Sequence, residues 1–427
     1  MKTTWPIALG IYLLMLPVTA MVPLLYALTE GRYPGLSDLG RHLFMSAHMA
    51  GALLFAVLAG VLSDRLGQRK RLIVPALLVN GFVLLMMTGP WPYGMQLLLR
   101  FIEGCAHMTV LSLAMTLAAD RAAPGREGGA MGLVGAALSL GVASGAVLGG
   151  RLGAQTPEAV FLWGGGLMLV VAVAAALTLR DAPVTRAPER VREVLRLALR
   201  RRALLVPYVF TFVDRLTVGF IISTVSLYFA TVMGLEPVRI GLVMAAFLLP
   251  FAVLTYPAGL LCQRWDPVFM MAGGSLLYGV FLAGLGFAGT KAVLPVMALG
   301  GVVAALMFAP SLVLVARLAD PAQRATAMGG FHLAGSLGFM LGPLLGVGAI
   351  TAMRALGWPP YPAVFVLVGG LELLVVVAFL PWLLRLHRTT GDPIGGAREA
   401  LPATALGARR ARGSGVTHDP HATGSNE

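Results

Sequence analysis

Two short groups of ionisable residues interrupt stretches that are otherwise apolar. Arg100, Glu103, Gly104 and His107 fall at i, i+3, i+4 and i+7, so on a helix they share one face. Asp214 and Arg215 stand side by side in a second apolar stretch, about eleven residues from its start. A charge in apolar surroundings is costly and must meet a partner or water. Two chemistries are open to these groups. Arg100 and Glu103 can neutralise each other and simply hold helices together. Alternatively the acids take up and release a proton as their surroundings change, since burial favours the neutral form of a carboxyl and a neighbouring guanidinium favours the charged one. Glu103 and Asp214 are therefore candidate proton carriers, with Arg100, Arg215 and His107 as the groups around them. Neighbouring residues do not share a helix face, so Asp214 and Arg215 are expected to serve different partners. Glu372 also lies in an apolar stretch and is expected to pack in protonated form. His48 and His332 read as structural, and Asn80 as a helix–helix hydrogen bond. No HExxH, GxSxG or G-x-x-x-x-G-K-[ST] pattern occurs, and no metal ligands cluster, so an enzyme is not expected and neither is a cofactor or metal.

The elements that must position these residues are long apolar segments, at roughly 5–29, 40–62, 71–90, 93–118, 128–151, 158–179, 203–232, 237–261, 267–289, 291–316, 324–350 and 361–386. Each approaches the ~20 residues that a helix needs to cross a bilayer. The chain is 58% hydrophobic and 12% charged, with a mean hydropathy of +0.83, whereas soluble domains carry about 25% charged residues. The fold class is an all-α polytopic membrane protein with twelve transmembrane helices. Positive charge alternates between the connections. Those on one side, from Arg65 to Arg324, hold seventeen Lys and Arg residues; the other side holds six, Arg32, Arg41, Arg151, Arg239, Lys291 and Arg354. The positive-inside rule then places both termini in the cytoplasm of a cell inner (plasma) membrane. The same bias accounts for the net charge of +13, and no nucleic acid is implied because the cations cluster at membrane edges. The first apolar run is too long for the core of a signal peptide. Cys105 and Cys262 lie far apart and read as small fillers without a disulfide.

The chain repeats itself. Gly141, Gly145 and Gly149 recur as Gly338, Gly342 and Gly346, each at an offset of 197, and Gly60, Leu62 and Arg65 recur as Gly259, Leu261 and Arg264 at 199. Two six-helix halves follow, 1–180 and 203–388, with a substrate site between them near the bilayer midplane. The connector, 181–202, reads either as an amphipathic helix on an anionic leaflet or as a solvated linker. The tail, 389–427, lacks hydrophobic periodicity and is expected to be disordered. A single chain is expected to act as a monomer.

The loop after the second segment reads Gly60-Val61-Leu62-Ser63-Asp64-Arg65-Leu66-Gly67-Gln68-Arg69-Lys70-Arg71. It resembles the G-x-L-x-D-R-x-G-R-K signature of the major facilitator superfamily, with Gln68 where a basic residue is common. The resemblance covers about residues 1–388. It implies that Gly60, Asp64, Arg65, Gly67, Arg69 and Lys70 form a cytoplasmic gating loop in which Asp64 latches one closed arrangement. The cations there also serve topology. Gly141, Gly145, Gly149 and Gly150 resemble the G-x-x-x-G-P-x-x-G-G motif of the drug/proton antiporters, with Ala146 in place of proline; Gly338, Gly342, Pro343 and Gly346 form a sister copy. Small residues four apart also let helix backbones approach. Arg100 to Gly104 resemble the family's R-x-x-Q-G motif with Glu103 replacing the amide. The resemblance places segments 1, 4, 7 and 10 around a central cavity. Tyr12, Pro17, Thr19, Pro23 and Tyr26 in segment 1, and Met307, Phe308 and Pro310 in segment 10, give that cavity an apolar lining suited to a small amphipathic or hydrophobic substrate. The expected function is proton-coupled export of such a compound by alternating access. The alternatives are a metabolite importer or uniporter on the same fold, and a non-transporting membrane receptor.

Overall fold

The structure, a computed structural model, describes residues 4–66, 68–121, 127–154, 156–180, 191–319 and 323–390. The tail beyond 390, Gly67, and the side chains of Asp64 and Arg65 lie outside the described residues, so the latch expected of Asp64 does too. All the regular elements described are helical. The first half holds α1 (Trp5–Ala20), α2 (Asp38–Leu66), α3 (Lys70–Met86), α4 (Tyr93–Asp120), α5 (Glu127–Leu152) and α6 (Ala159–Thr178). The connector contributes α7 (Val191–Arg200). The second half holds α8 (Leu205–Phe220) continued by α9 (Ser226–Thr231), then α10 (Pro237–Leu261), α11 (Pro267–Leu285), α12 (Val293–Leu318), α13 (Arg324–Ala355) and α14 (Pro360–Thr390).

Among the described residues, ten helical spans are long and apolar enough to cross a membrane. α2 and α3 complete the twelve. α2 carries Asp38, Arg41, His42 and His48 among its apolar residues, and α3, with 17 residues, is about 26 Å long at 1.5 Å per residue. The bundle is apolar outside and polar inside at this depth. Leu162, Val170, Leu177, Val253, Leu374 and Val377 are exposed, while Arg100, Glu103, Asp214 and Glu372 are buried. That inversion suits lipid as the surrounding solvent.

The two halves pack alike. α1 lies on α5, α2 on α4 and α3 on α6; α8 lies on α13, α10 on α12 and α11 on α14. The repeated glycines explain the first and fourth of these pairs. A Cβ at Gly141 would stand 2.6 Å from the Tyr12 carbonyl oxygen and one at Gly145 2.7 Å from that of Leu16. One at Gly149 would collide with the Ala20 carbonyl. In the second half, Gly338 and Gly342 lie against the carbonyls of Phe212 and Leu216, and Gly346 lies against the Thr224 side chain. Each helix is thus seated backbone to backbone on its partner, as small residues four apart permit. Gly149→Ala is expected to lower unfolding free energy by about 1–3 kcal/mol, the cost of forced overpacking. A Cβ at Gly166 meets open space, so Gly166→Ala should leave thermal unfolding of the detergent-purified protein unchanged or slightly improved.

The helices α1 and α8 share a further feature. Each gives way near the end of its span to a π turn, Ala27–Gly31 after α1 and Ile221–Val225 after α8. Single-turn π segments mark adjustable points in helices. The halves meet here, at the end of the bundle away from the chain termini. The Ser226 hydroxyl donates to the Val22 carbonyl at 2.6 Å, His42 Nε2 and Thr224 Oγ1 are 2.9 Å apart, and Arg354 pairs with Asp38. Arg41 ties Asp38 (3.0 Å) to Glu30 (2.9 Å). The Gly35 backbone N–H, and then Arg41, hold the Glu30 carboxyl below its usual range. Gly150 also abuts Pro237, its would-be Cβ lying 2.5 Å from that carbonyl oxygen. At the opposite end, Arg69 pairs with Asp120 within the first half and Arg201 donates to the Leu318 carbonyl within the second. The bundle is closed at the end away from its termini.

The described part of the connector is the helix α7. Leu197 and Ala198 are buried, in a cluster with Tyr208, Val315 and Phe331, while Arg196, Leu199 and Arg200 are exposed. The helix thus docks one face on the second half.

Candidate functional site

Two buried polar clusters lie at mid-bundle, one in each half. In the first, Arg100, Glu103 and His107 do share a face of α4 and are all buried. Arg100 Nη1 donates to Glu103 Oε2 at 2.7 Å. His48 of α2 reaches the same carboxylate oxygen at 2.5 Å, and its ring meets His107 edge-on, centroids 5.3 Å apart. Asn80 of α3 donates to the Glu103 backbone carbonyl at 3.3 Å, which is the helix–helix hydrogen bond its sequence position implied. The Arg100 guanidinium also lies over the Phe44 ring, 4.8 Å from the centroid, and touches Met21 Sδ at 3.1 Å. Backbone packing makes this possible. A Cβ at Gly104 would collide with the His48 carbonyl, and one at Gly51 with that of Phe101. The glycine of the segment 4 motif is therefore the gap that lets α2 come close enough to deliver His48.

His48 is the neighbour of Glu103 that sequence reasoning left unpaired. Its only signal was a titratable side chain inside an apolar segment, and pairing it with Glu103 requires knowing that α2 lies on α4.

In the second cluster, Asp214 and Arg215 approach each other, Arg215 Nε lying 3.8 Å from Asp214 Oδ2. The expectation that these neighbours serve different partners is corrected in that respect. A long arginine can curl back around the helix toward the preceding residue, which helical-face arguments based on Cβ direction do not register. The guanidinium also serves other partners. It stacks over Phe308 of α12, 4.2 Å from the ring centroid, and lies 5.3 Å from that of Phe339 of α13. His332 of α13 stands close by and is exposed.

The two arginines differ in access. The Arg100 side chain is 0% exposed and that of Arg215 17%. A guanidinium at this depth cannot face hydrocarbon without large cost, so a passage that admits water is expected on the open side of Arg215. Arg215, Phe308, Phe339 and His332 therefore form a cation in an aromatic frame at the edge of that passage. Asp214 is buried beside it, and its Oδ2 has no hydrogen-bond partner.

The loop between α2 and α3 is described only in part. Arg69 Nε donates to Asp120 Oδ2 at 2.8 Å, both side chains buried, and Lys70 Nζ donates to the Ala176 carbonyl at 2.6 Å. These contacts tie the loop to the ends of α4 and α6. Cys105 and Cys262 are both free thiols, and no group of three or more His, Cys, Asp or Glu able to hold a metal ion occurs among the described residues.

The model of the Major Facilitator Superfamily matches residues 7–236 and 208–416. A 3-(3-hydroxy-phenyl)propionate transporter of Escherichia coli (strain K12) is 28% identical over 348 residues, covering 78% of this chain and 83% of the relative. The fold is similar to that of a bacterial homolog of the human lysosomal transporter Spinster in an inward-facing and occupied conformation. There the TM-score is 0.76 at 15% identity, over 92% of this chain and 97% of that one. It is also similar to the crystal structure of nucleoside transporter NupG, with a TM-score of 0.72 at 15% identity over 89% and 99% of the two chains.

Proposed function

Since this chain belongs to the major facilitator superfamily and is a multi-pass membrane transporter of small molecules, we propose that it carries a small amphipathic organic acid together with a proton, by alternating access. The observation that carries the proposal is the partly open Arg215, set between Phe308 and Phe339 with Asp214 at 3.8 Å. A guanidinium presents a planar fork suited to a carboxylate, and the two rings suit the apolar part of such a molecule. Arg215 is also the cation nearest Asp214. When a substrate carboxylate takes Arg215, the buried Asp214 loses part of its compensation and favours a proton. Anion and proton then load together, and downhill proton entry would drive uptake.

Glu103 fits a static role better in this scheme. Arg100 at 2.7 Å and His48 at 2.5 Å hold the carboxylate with no exposure, so coupling is assigned to Asp214 and stability to the first cluster. With both termini in the cytoplasm of the plasma membrane, as the charge bias implies, closure at the end away from the termini corresponds to an inward-facing state. The protein is taken to work as a monomer.

Export remains the second reading. It rests on the likeness of Gly141–Gly150 to the antiporter motif, and the same glycines are engaged in close packing against α1. Antiport requires a substrate that competes with the proton for Asp214, which a cationic or neutral compound does and an anion does not.

The experiment is uptake of labelled 3-(3-hydroxyphenyl)propionate into proteoliposomes. The proposal expects accumulation when the outside is made acidic and equilibration without accumulation when no gradient is imposed. Flux indifferent to the pH gradient would point to a uniporter, and binding without flux to a receptor.

A further inference from the structure

Asp214 and Thr217 are three residues apart on α8 and so share a face. That face is turned to α11 and α14, where it meets a polar group unused by the scheme above. Thr217 Oγ1 donates to the Asp214 backbone carbonyl at 2.7 Å and lies 3.4 Å from Glu372 Oε1 of α14. Ser275 and Tyr278 of α11 flank Glu372. All five side chains are buried. The Ser275 hydroxyl is directed to the Glu372 carboxyl and that of Tyr278 to Thr217, neither in full hydrogen-bond geometry, and Asp214 Oδ2 makes no hydrogen bond. Glycines again set the geometry: a Cβ at Gly279 would stand 2.7 Å from the Gly369 carbonyl oxygen and 3.1 Å from Glu372 Cβ. The backbones of α11 and α14 therefore touch, and Glu372 is held against α11 rather than turned to lipid.

The charges around this cell are few. α8 brings Asp214 and Arg215, α14 brings Glu372, and α11 brings the Tyr278 phenol. α13 brings His332 on the far side of Arg215, and α12 brings no ionisable side chain at this level, its single one being Arg317 near its end. Asp266 and His387 pair at the terminal end of α11 and α14, away from the cell. Of the two carboxyl groups only Asp214 meets a guanidinium, that of Arg215, which is itself drawn toward Phe308. A second uncompensated anion at this depth is strongly unfavourable.

We propose that Asp214 and Glu372 form a single two-carboxyl proton site bridged by Ser275 and Tyr278, holding one proton at rest and a second when an anion occupies Arg215. The inference rests on the proton coupling proposed above and adds Glu372, Ser275 and Tyr278 to it. Loading forms one O–H bond on the pair, with a proton taken from water in the passage. Release breaks that bond and returns the proton to water on the opposite side. The hydroxyls relay by accepting one proton as they donate another, so the cell changes by one proton per cycle.

The test is infrared spectroscopy of the purified full-length protein across a pH series, following the carbonyl band of protonated carboxylic acid. Interacting carboxyls titrate in two steps belonging to the pair. The wild type should show two steps, and Glu372→Gln and Asp214→Asn one step each. In proteoliposomes, Glu372→Gln should shift the pH dependence of aromatic-acid uptake by about one unit, the scale at which coupled titration appears. A two-step band that survives in Glu372→Gln overturns the proposal. So does a band displaced by sodium at constant pH, which would mark a metal-ion site. If Glu372→Gln does not fold, Ser275→Ala and Tyr278→Phe remove the bridging oxygens without changing charge. The two steps should then move, and steps left in place overturn the proposal. The spectra do not depend on transport. Two steps without proton-linked flux would sink the proposed function and leave the site standing, whereas proton-linked flux with a single step would do the reverse.

Discussion

Arg100→Ala is expected to lower the stability of the detergent-solubilised protein by about 3–5 kcal/mol, the usual result of removing one partner of a buried ion pair. The Glu103 carboxylate would be left in an enclosed site with His48 and Asn80 as its remaining polar neighbours. Its loss of compensation, more than the lost contact itself, sets the size of the effect. The double variant Arg100→Ala/Glu103→Gln separates the two contributions, because a neutral amide needs no cation. It should recover most of the loss, giving a strongly non-additive cycle. Thermal unfolding of the four proteins measures this. Additive losses would mean that Arg100 acts by packing over Phe44 and against Met21 rather than by charge.

Asp214→Asn is expected to abolish gradient-driven accumulation of the aromatic acid, by about a hundredfold or more, as loss of a positioned proton acceptor does. The variant should still fold, since Asn fills the same volume and Asp214 Oδ2 makes no hydrogen bond that would be lost. It should also keep substrate exchange between labelled and unlabelled pools, because Arg215 is then free of its nearest anion. Arg215→Ala should fail in both assays, since it removes the carboxylate partner itself. If Asp214→Asn instead melts early and transports normally when folded, Asp214 belongs to a static network and the assignment of coupling to it fails.

Much of the architecture is legible in the sequence because it is written in one-dimensional patterns. Apolar length gives the segments, and the 197-residue offset between Gly141 and Gly338 points to the paired packing of α1 on α5 and α8 on α13. The shared face of Arg100, Glu103 and His107 is equally a matter of helical spacing. What spacing cannot provide is the partner across a helix interface. His48 joins Glu103 only because Gly51 and Gly104 let α2 and α4 touch. Phe308 and Phe339 frame Arg215 only because α12 and α13 both lie on α8. Glu372 meets Thr217 and the α11 hydroxyls only because Gly279 and Gly369 let α14 touch α11. The glycines that create these contacts, Gly51, Gly279 and Gly369, stand outside the repeated motif of Gly141 to Gly150 and Gly338 to Gly346 and carry no pattern of their own.

The central claim is that proton and substrate move in the same direction, and a pH-sensitive dye trapped in the lumen of proteoliposomes tests it without an imposed pH gradient. Wild-type protein is given an inward gradient of the aromatic acid at symmetric pH, with membrane potential clamped. The account predicts acidification of the lumen as the acid enters, absent in Asp214→Asn. Alkalinisation of the lumen in the wild type would show exchange of substrate for protons and contradict the account.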